Sequence, residues 1–217
     1  MKILLISGSQ RKYSKSADVA KVIQGNILNS DDSISSGTVL SEILELSAYP
    51  NLLAHYGSDA EGNDELAKDK DEVLAKLYAC DAVIFIAPEW GGMIPPALVN
   101  LLLLTANGSA NGLPLGHKPA FAVGISASEG GSNPISLLKS YAAKNSHLVW
   151  LPLHAIITNV DSFLSQHWQP NSDSDSRVFQ VQSRLTVGIN SLLIYAKQLA
   201  PIREELVELS KIHPFGQ

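Results

Sequence analysis

The stretch KILLISGSQRKYSKS, residues 2–16, decides the fold of this chain. It opens with the apolar run at residues 3–6, which is typical of a strand covered on both faces of a parallel sheet. A serine-rich loop follows directly, and apolar residues recur at four-residue steps from Val19 to Ile27. A buried strand, a polar loop and an amphipathic helix in this order predict the first unit of a doubly wound α/β fold.

Similar patterns along the chain predict the rest of that fold. Five strands are expected in all, and helices between them would return the chain so that the strands run parallel. The remaining predicted elements are strands at 39–46, 82–87 and 120–125, a fifth strand near 148–151 or at 156–157, and a helix with the apolar stripe Leu66, Val73, Leu74 and Leu77. We therefore predict a five-stranded parallel sheet with helices on both faces.

The composition is that of one globular domain, which we predict to span residues 1–217. Of these residues 45% are hydrophobic and 17% charged, so the chain can bury one sizeable core. Its net charge of −5 gives no general attraction to nucleic acid or to an anionic membrane, and no apolar run is long enough to cross a bilayer. The single cysteine, Cys80, excludes an internal disulfide and fits a reducing cytoplasm, and no histidine pair has metal-ligand spacing.

Three segments depart from the compact pattern. Residues 49–63 show no periodicity and predict a long loop that serves as a lid or an interface. Residues 169–176 are polar, and their Ser and Asp side chains are suited to cap a helix that runs to about Ala200. A short charged helix is expected after Pro201. We interpret the segment from about 170 to 217 as an extra helical extension of the domain.

The loop after the first strand carries groups that suit a phosphate. In a doubly wound sheet this loop lies at the carboxyl edge, where the N–H groups of the following helix point at a bound ligand. Ser9, Ser14 and Ser16 add hydroxyl donors, and Arg11 adds a guanidinium fork. The other interpretation is that Ser14 or Ser16 only caps the helix and that Arg11 is a surface charge. The position after the first strand favours the phosphate.

The glycine spacing argues against the larger nucleotide-binding motifs. Gly8 is the one glycine of this loop, so GxGxxG is absent, and GLPLGHK at residues 112–118 only approaches the GxxxxGK[ST] pattern. No GxSxG motif of a nucleophile elbow is present. A ligand with a single phosphate is the better prediction.

Two motifs resemble those of a known family. The loop GSQRKYSKS, residues 8–16, is similar to the GSxRxxSxN loop of the NADPH-dependent FMN reductase family, which has the flavodoxin-like fold. The segment PEWGGMIPPALVN, residues 88–100, follows the third predicted strand and resembles that family's PEYNxxxPxxLKNxxD. The likeness in strand order covers roughly residues 1–160.

The resemblance implies an FMN-dependent oxidoreductase with the flavodoxin-like fold. FMN would take a hydride from NADPH or NADH and pass electrons to a small-molecule acceptor such as a quinone, azo compound, metal oxyanion or free flavin. Because the flavin carries the chemistry, no catalytic side chain and no metal site is expected. The implied cofactor-binding residues are Ser9, Arg11, Ser14, Ser16, Pro88, Glu89, Trp90, Gly91, Gly92, Ser126, Ser128 and Gly130.

The chain departs from the family pattern at four positions. Ser16 and Gly91 each stand where the family has asparagine, Trp90 replaces tyrosine, and Val99 replaces lysine. The phosphate contacts are expected to survive the first change. The Trp90 ring can still flank a flavin, and the flavin hydrogen bonds are expected from the backbone N–H groups of Gly91 and Gly92.

Each loop that follows a strand also allows a purely structural interpretation. Residues 88–92 could form an ordinary strand-to-helix turn, with Trp90 as surface packing. The matching motif at residues 8–16 favours a flavin site over an ordinary turn. The loop at 126–132 is expected on the other flank of the flavin, and capping of the next helix by Ser128 or Ser132 is an equal alternative.

Two questions stay open at the level of the whole molecule. A flavin-binding electron carrier without enzymatic activity, or a flavodoxin-like module without cofactor, is the alternative to the reductase. The helix predicted at 98–104 is apolar nearly all round, so it is either a central core helix or one that lies beneath a second copy of the chain. We favour the second interpretation, and with it a homodimer or homotetramer.

Overall fold

The structure, a computed structural model, describes residues 1–29, 38–52, 64–106, 112–170 and 176–213. Its strands are β1 (Lys2–Ser7), β2 (Leu40–Glu45), β3 (Ala82–Pro88), β4 (Pro119–Ile125), β5 (Val149–Trp150) and β6 (Ala155–Ile157). All pairs are parallel, in the order β2-β1-β3-β4, and β5 and β6 both pair with the far side of β4. The predicted doubly wound, flavodoxin-like sheet is confirmed.

The fifth position of the sheet is divided between two short strands. β5 pairs with the start of β4 and β6 with its end, so both segments considered for the fifth strand belong to the same edge. The interruption between them is held by side chains. Lys139 Nζ donates to the carbonyl of Leu151 at 3.0 Å, and Arg184 Nε donates to that of His154 at 2.6 Å. Carbonyls that leave the ladder thereby keep hydrogen-bond partners.

Helices cover both faces of the sheet, as predicted. They are α1 (Lys15–Ile23), which continues as a π-helical turn at Gln24–Leu28, α2 (Asp64–Ala79), α3 (Pro96–Leu104), α4 (Ser132–Tyr141), α5 (Val160–Ser165), α6 (Arg177–Leu199) and α7 (Arg203–Ser210). Alternate residues of β1 enter different cores: Leu4 and Ile6 pack with α2, α3 and α4, whereas Ile3 and Leu5 pack with α1 and α6. No helix within the described ranges is both long and apolar enough to span a membrane.

The long C-terminal helix α6 is part of the core. Its start and end agree with the prediction, and it buries Leu185, Ile189 and Leu192 against the sheet. Close contact with β4 depends on Gly188, because a Cβ there would lie 2.3 Å from the Phe121 ring. Of the side chains expected to cap it, Ser176 occupies the N-cap position but makes no side-chain capping hydrogen bond. Residues 171–175 of the predicted polar segment lie outside the described residues.

Hydrogen bonds join the last helix, α7, to the amino edge of the sheet. Arg203 Nη2 donates to the carbonyl of Asp81 at 3.0 Å, and its Nη1 donates to the carboxylate of the same residue at 3.3 Å. A hydrogen bond of 2.7 Å joins His117 Nε2 and Ser210 Oγ. Cys80 is buried beside this edge, and burial raises the pKa of its thiol, as expected of a small core side chain.

Helix α3 is largely covered by its own chain. Leu98, Leu101 and Leu104 are fully or almost fully buried, which is what a core helix would show. Half-buried Val99 and its neighbours line a groove of about 330 Å³ that reaches exposed Tyr141. The apolar composition of α3 therefore has an explanation within one chain. Of the loop predicted at 49–63, residues 53–63 lie outside the described residues.

Replacing Gly188 by alanine tests the contact between α6 and β4. The added methyl group collides with Phe121, so we expect Gly188→Ala to lower the free energy of unfolding by about 1–3 kcal/mol in urea denaturation. Gly25→Ala is the matched control, because a Cβ at exposed Gly25 meets nothing within 4 Å. It should be neutral or stabilising by up to about 1 kcal/mol. A Gly188→Ala protein as stable as the Gly25→Ala protein would contradict this packing.

Candidate functional site

A cavity of about 240 Å³ lies at the carboxyl edge of the sheet, above β1, β3 and β4. This is the edge at which ligands bind in open α/β sheets. Eight of the twelve predicted site residues line the cavity: Ser9, Arg11, Ser14, Ser16, Pro88, Glu89, Trp90 and Ser126. The other four, Gly91, Gly92, Ser128 and Gly130, belong to the same loops but not to the lining. The binding roles of all twelve stay predictions.

The loop after β1 is held against the sheet by its backbone. Gly8 N donates to the carbonyl of Ile86 at 2.9 Å, and a Cβ at Gly8 would lie 2.8 Å from a methyl group of Leu98. Gln10 Oε1 accepts a hydrogen bond of 3.2 Å from the N–H of Ala97, at the start of α3. These contacts hold the loop that precedes α1 against β3 and α3. Sequence reasoning assigned no role to Gln10, although it lies inside the loop that was singled out.

Three serine hydroxyls form a buried cluster at the start of α1. Ser14 is the N-cap, and its Oγ accepts a hydrogen bond of 3.3 Å from the N–H of Ala17. Ser16 Oγ lies 3.0 Å from Ser14 Oγ and 2.8 Å from Ser7 Oγ. Ser14 thus caps the helix and Ser16 does not, and a phosphate contact of either hydroxyl stays a prediction. Ser7 was not among the predicted site residues because it is the last residue of an apolar strand. A serine at the carboxyl end of that strand, next to the loop, was the signal that could have identified it.

The rim of the cavity is positively charged. Arg11, Lys12 and Lys15 line it, and the Arg11 guanidinium carbon lies 4.4 Å from the centroid of the Trp90 ring. This is cation–π distance, so Arg11 is exposed yet in contact with a second loop of the site. Lys15 Nζ donates to the Asp161 carboxylate at 2.5 Å, and this hydrogen bond raises the pKa of the Lys15 ammonium.

The loop after β3 turns sharply at two glycines. Trp90 and Met93 exchange backbone hydrogen bonds of 2.8 and 3.1 Å, which closes a two-residue hairpin. Gly91 and Gly92 between them have φ of 57° and 80°. Positive φ at both central positions is typical of a type I′ turn, which glycine forms without strain. This is more specific than an ordinary strand-to-helix turn, and it leaves half-buried Trp90 on the cavity wall.

The carboxylate of Glu89 connects the loops after β3 and β4. Its Oε2 accepts a hydrogen bond from the N–H of Gly131, and a Cβ at Gly130 would lie 2.9 Å from the same oxygen. The second loop also folds tightly over its own strand, because a Cβ at Gly124 would lie 2.0 Å from the carbonyl oxygen of Gly131. The two walls of the cavity are therefore joined to each other by Glu89.

The loop after β4 is ordered by its own serines. Ser126 Oγ accepts a hydrogen bond of 3.2 Å from the N–H of Ser128, whose carbonyl accepts one of 2.8 Å from the N–H of Asn159. The alternative that Ser128 or Ser132 caps α4 was wrong. The N-cap is Gly131, at a φ of 107°, and no side chain caps it. Within the described ranges, no group of three or more His, Cys, Asp and Glu side chains is placed to hold a metal ion.

The family model of the NADPH-dependent FMN reductases matches residues 1–161. The chain belongs to this family. It is accordingly a flavin-dependent NAD(P)H oxidoreductase with a flavodoxin-like sheet. The region that matches the family contains the whole cavity and ends inside α5, so α6 and α7 lie beyond it.

Solved structures with the same fold cover nearly the whole chain. An oxidoreductase from Corynebacterium diphtheriae superimposes with a TM-score of 0.62 at 13% identity, over 91% of this chain and 97% of that one. The NAD(P)H:(acceptor) oxidoreductase FerB from Paracoccus denitrificans gives 0.60 at 18% identity, over 91% and 97%. The NADH:FMN oxidoreductase EMOB gives 0.59 at 16% identity, over 92% and 90%. A comparison with curated protein sequences returned no match.

Substitutions of Glu89 test the connection between the two loops. Glu89→Ala leaves the N–H of Gly131 without its acceptor, and a lost hydrogen bond to a charged group costs about 1.5–3 kcal/mol. We expect amide exchange at Gly131 to become about tenfold or more faster, measured by NMR. Glu89→Gln keeps an acceptor oxygen and is the matched control, with a smaller change. Equal protection of Gly131 in all three proteins would refute the connection.

Proposed function

We propose that the cavity holds FMN, with its phosphate at the start of α1 and its ring system between the loops after β3 and β4. One observation carries this assignment. The N-terminus of α1, with Ser14, Ser16 and three cations, opens into the same cavity as Trp90. A phosphate site and a flat aromatic site thus meet in one space, which is what a flavin mononucleotide requires.

At the phosphate end, this chain offers three kinds of donor. The backbone N–H groups at the start of α1 carry the positive end of the helix dipole. The hydroxyls of Ser9, Ser14 and Ser16 lie in the cavity wall, and small rotations redirect a hydroxyl hydrogen from a neighbouring serine to a phosphate oxygen. Arg11 stands at the rim and supplies the fork that suits two phosphate oxygens.

At the end of the cavity proposed for the flavin ring system, the loops after β3 and β4 form the walls. Trp90 presents an aromatic face, and the turn at Gly91 and Gly92 carries no side chains that would keep a planar ring away from the backbone. Glu89 holds the wall formed by the loop after β4 at a set distance. Ser126, Ser128 and Gly130 belong to that wall or its support, so their proposed role is to shape the flavin's second flank.

When bound, FMN would accept a hydride from NADPH or NADH and deliver the electrons to a small-molecule acceptor. The protein's part is to bind and orient the flavin and its substrates. FerB and EMOB, whose names state NAD(P)H:(acceptor) and NADH:FMN oxidoreduction, support this direction of transfer. Quinones, azo compounds, metal oxyanions and free flavin are the acceptor classes proposed.

We further propose that residues 1–217 act as one domain in the cytoplasm and self-associate as a homodimer or homotetramer. The packing of α6 on β4 supports the single domain, because the C-terminal extension completes one face of the core. Neither nucleic acid nor a membrane is proposed as a partner, in keeping with the net charge of −5.

An anaerobic reduction experiment tests the proposed reductase. The purified protein is supplied with FMN, freed of excess cofactor, and then mixed with NADPH or NADH without oxygen while the visible spectrum is followed. We expect retained flavin absorbance that bleaches on mixing. Flavin that is bound but stays oxidised would establish the electron carrier instead, and a protein that binds no added FMN would establish a module without cofactor.

The phosphate assignment predicts a selective effect of Arg11→Ala. Loss of a charge-assisted hydrogen bond, about 1.5–3 kcal/mol, should raise the Kd for FMN by about 10-fold to 100-fold. The Kd for riboflavin, which lacks the phosphate, should change far less. Lys21→Ala is the control, because Lys21 pairs with Asp18 outside the cavity. Titration of flavin fluorescence measures the Kd for each flavin. Equal effects of Arg11→Ala on both Kd values would contradict the assignment.

A further inference from the structure

Asn159 has an unusual backbone conformation at the carboxyl edge of the sheet. It occupies the N-cap position of α5 with φ of 47° and ψ of 54°, in the left-handed region that residues other than glycine seldom adopt. Asparagine is a preferred N-cap because its side chain can accept a hydrogen bond from the first turn, yet here the side chain makes no such bond. Residues in this conformation persist where contacts hold them, and they cluster at functional sites. The conformation therefore points to the contacts that Asn159 makes outside its own helix.

Two of these contacts join Asn159 to the loop after β4. Its backbone N–H donates to the carbonyl of Ser128 at 2.8 Å. Its side-chain Nδ2 donates to Oε1 of Glu129 at 2.6 Å. Asn159 thus holds two consecutive residues of the loop, one through its backbone and one through its side chain.

Hydrogen bonds rather than packing hold this part of the loop. Residues 127–129 are exposed, whereas every residue of β4 before them is buried. At the far end of the loop, the N–H of Gly131 donates to the Glu89 carboxylate. A segment with few buried contacts lies where its hydrogen bonds place it. The position of residues 127–129 therefore depends on Asn159.

The C-terminal extension reaches the same loop through Glu129. Nη1 of Arg177, at the start of α6, lies 3.2 Å from Oε2 of Glu129, so the two carboxylate oxygens are shared between Asn159 and Arg177. The side chains of this ion pair are 65% and 72% exposed, and such a pair contributes little. The side chain of asparagine is shorter than that of arginine and loses less rotamer freedom when it is held. The contact from Asn159 is therefore the stronger of the two.

We propose that Asn159 is a positioning residue for the flavin, because it holds the loop after β4 where the second flank of the ring system is expected. Ser126 and Ala127 of this loop line the cavity, as does Val160 beside Asn159, so a shift of the loop changes the cavity wall. Asn159 does not itself line the cavity and acts through the loop. This role rests on the FMN site proposed above, and it adds a residue that the sequence motifs did not indicate.

An exchange of donor and acceptor tests the role of Asn159. Asn159→Asp sets a carboxylate against that of Glu129, while aspartate still tolerates the left-handed backbone. We expect the Kd values for FMN and for riboflavin to rise by a similar factor, about 3-fold to 10-fold, because both ligands carry the ring system. Glu129→Gln keeps an acceptor and should change little. In the double variant Asn159→Asp with Glu129→Gln the donor and the acceptor change places, and both Kd values should return to within about twofold of wild type.

Asn26→Asp is the matched control. It makes the same chemical change at an exposed asparagine in the π-helical turn after α1, whose side chain donates to the carbonyl of Val22 at 2.9 Å outside the cavity lining. Both Kd values should stay unchanged. The visible circular dichroism of bound flavin gives a second readout, because it depends on the groups around the ring. This signal should change in Asn159→Asp and return in the double variant, whereas a purely structural role would leave it unaltered in the folded protein.

The possible results separate this role from the FMN site itself. Unchanged Kd values and circular dichroism in Asn159→Asp, with FMN bound to the wild-type protein, would overturn the positioning role alone. A rise in the Kd for FMN but not for riboflavin would overturn it too, since the effect would then lie at the phosphate. A loss that the double variant does not restore would refute the contact with Glu129 as its cause. A wild-type protein that binds no added FMN would overturn the proposed function and this role together.

Discussion

Close approach of one backbone to another at the carboxyl edge is the constraint on which the site depends. Gly8 lies so close to β3 and α3 that a methyl group on it would collide with them, and its N–H donates to the carbonyl of Ile86. Gly124 makes the equivalent approach to the loop after β4. The loops after β1 and β4 therefore lie close to the ends of the strands. Together with the loop after β3, which carries Trp90, they border one cavity. The cofactor roles we propose all follow from that proximity.

Much of the fold could be predicted because buried parallel strands consist of short apolar runs. The strands β1, β3 and β4 are such runs. The loops after those strands supplied eight of the lining residues for the same reason. The predictions that failed concerned features that depend on tertiary contacts. The N-cap of α4 is Gly131 rather than a serine, and its N–H donates to the Glu89 carboxylate of the neighbouring loop. Ser7 joins the hydroxyl cluster only through its contacts with Ser14 and Ser16, which a pattern of apolar runs does not reveal.

The C-terminal part shows why the limit of a family match is not the limit of a core. The match ends at residue 161, yet Gly188 of α6 packs directly on the Phe121 ring in β4. Sequence periodicity predicted the helix but not which of its two apolar faces would be covered. The structure assigns Leu185, Ile189 and Leu192 to the core and leaves Val187, Ile194 and Tyr195 exposed.

The location of bound FMN is the most direct test of the central claim, that one cavity joins a phosphate site to a flat aromatic site. A crystal structure of the protein grown with FMN would show it. The account predicts the phosphate within hydrogen-bond distance of the backbone N–H groups at the start of α1 and of Ser9 or Ser14. It also predicts the ring system between Trp90 and the loop at 126–131. FMN bound elsewhere, or in this cavity with its phosphate turned away from α1, would contradict the account.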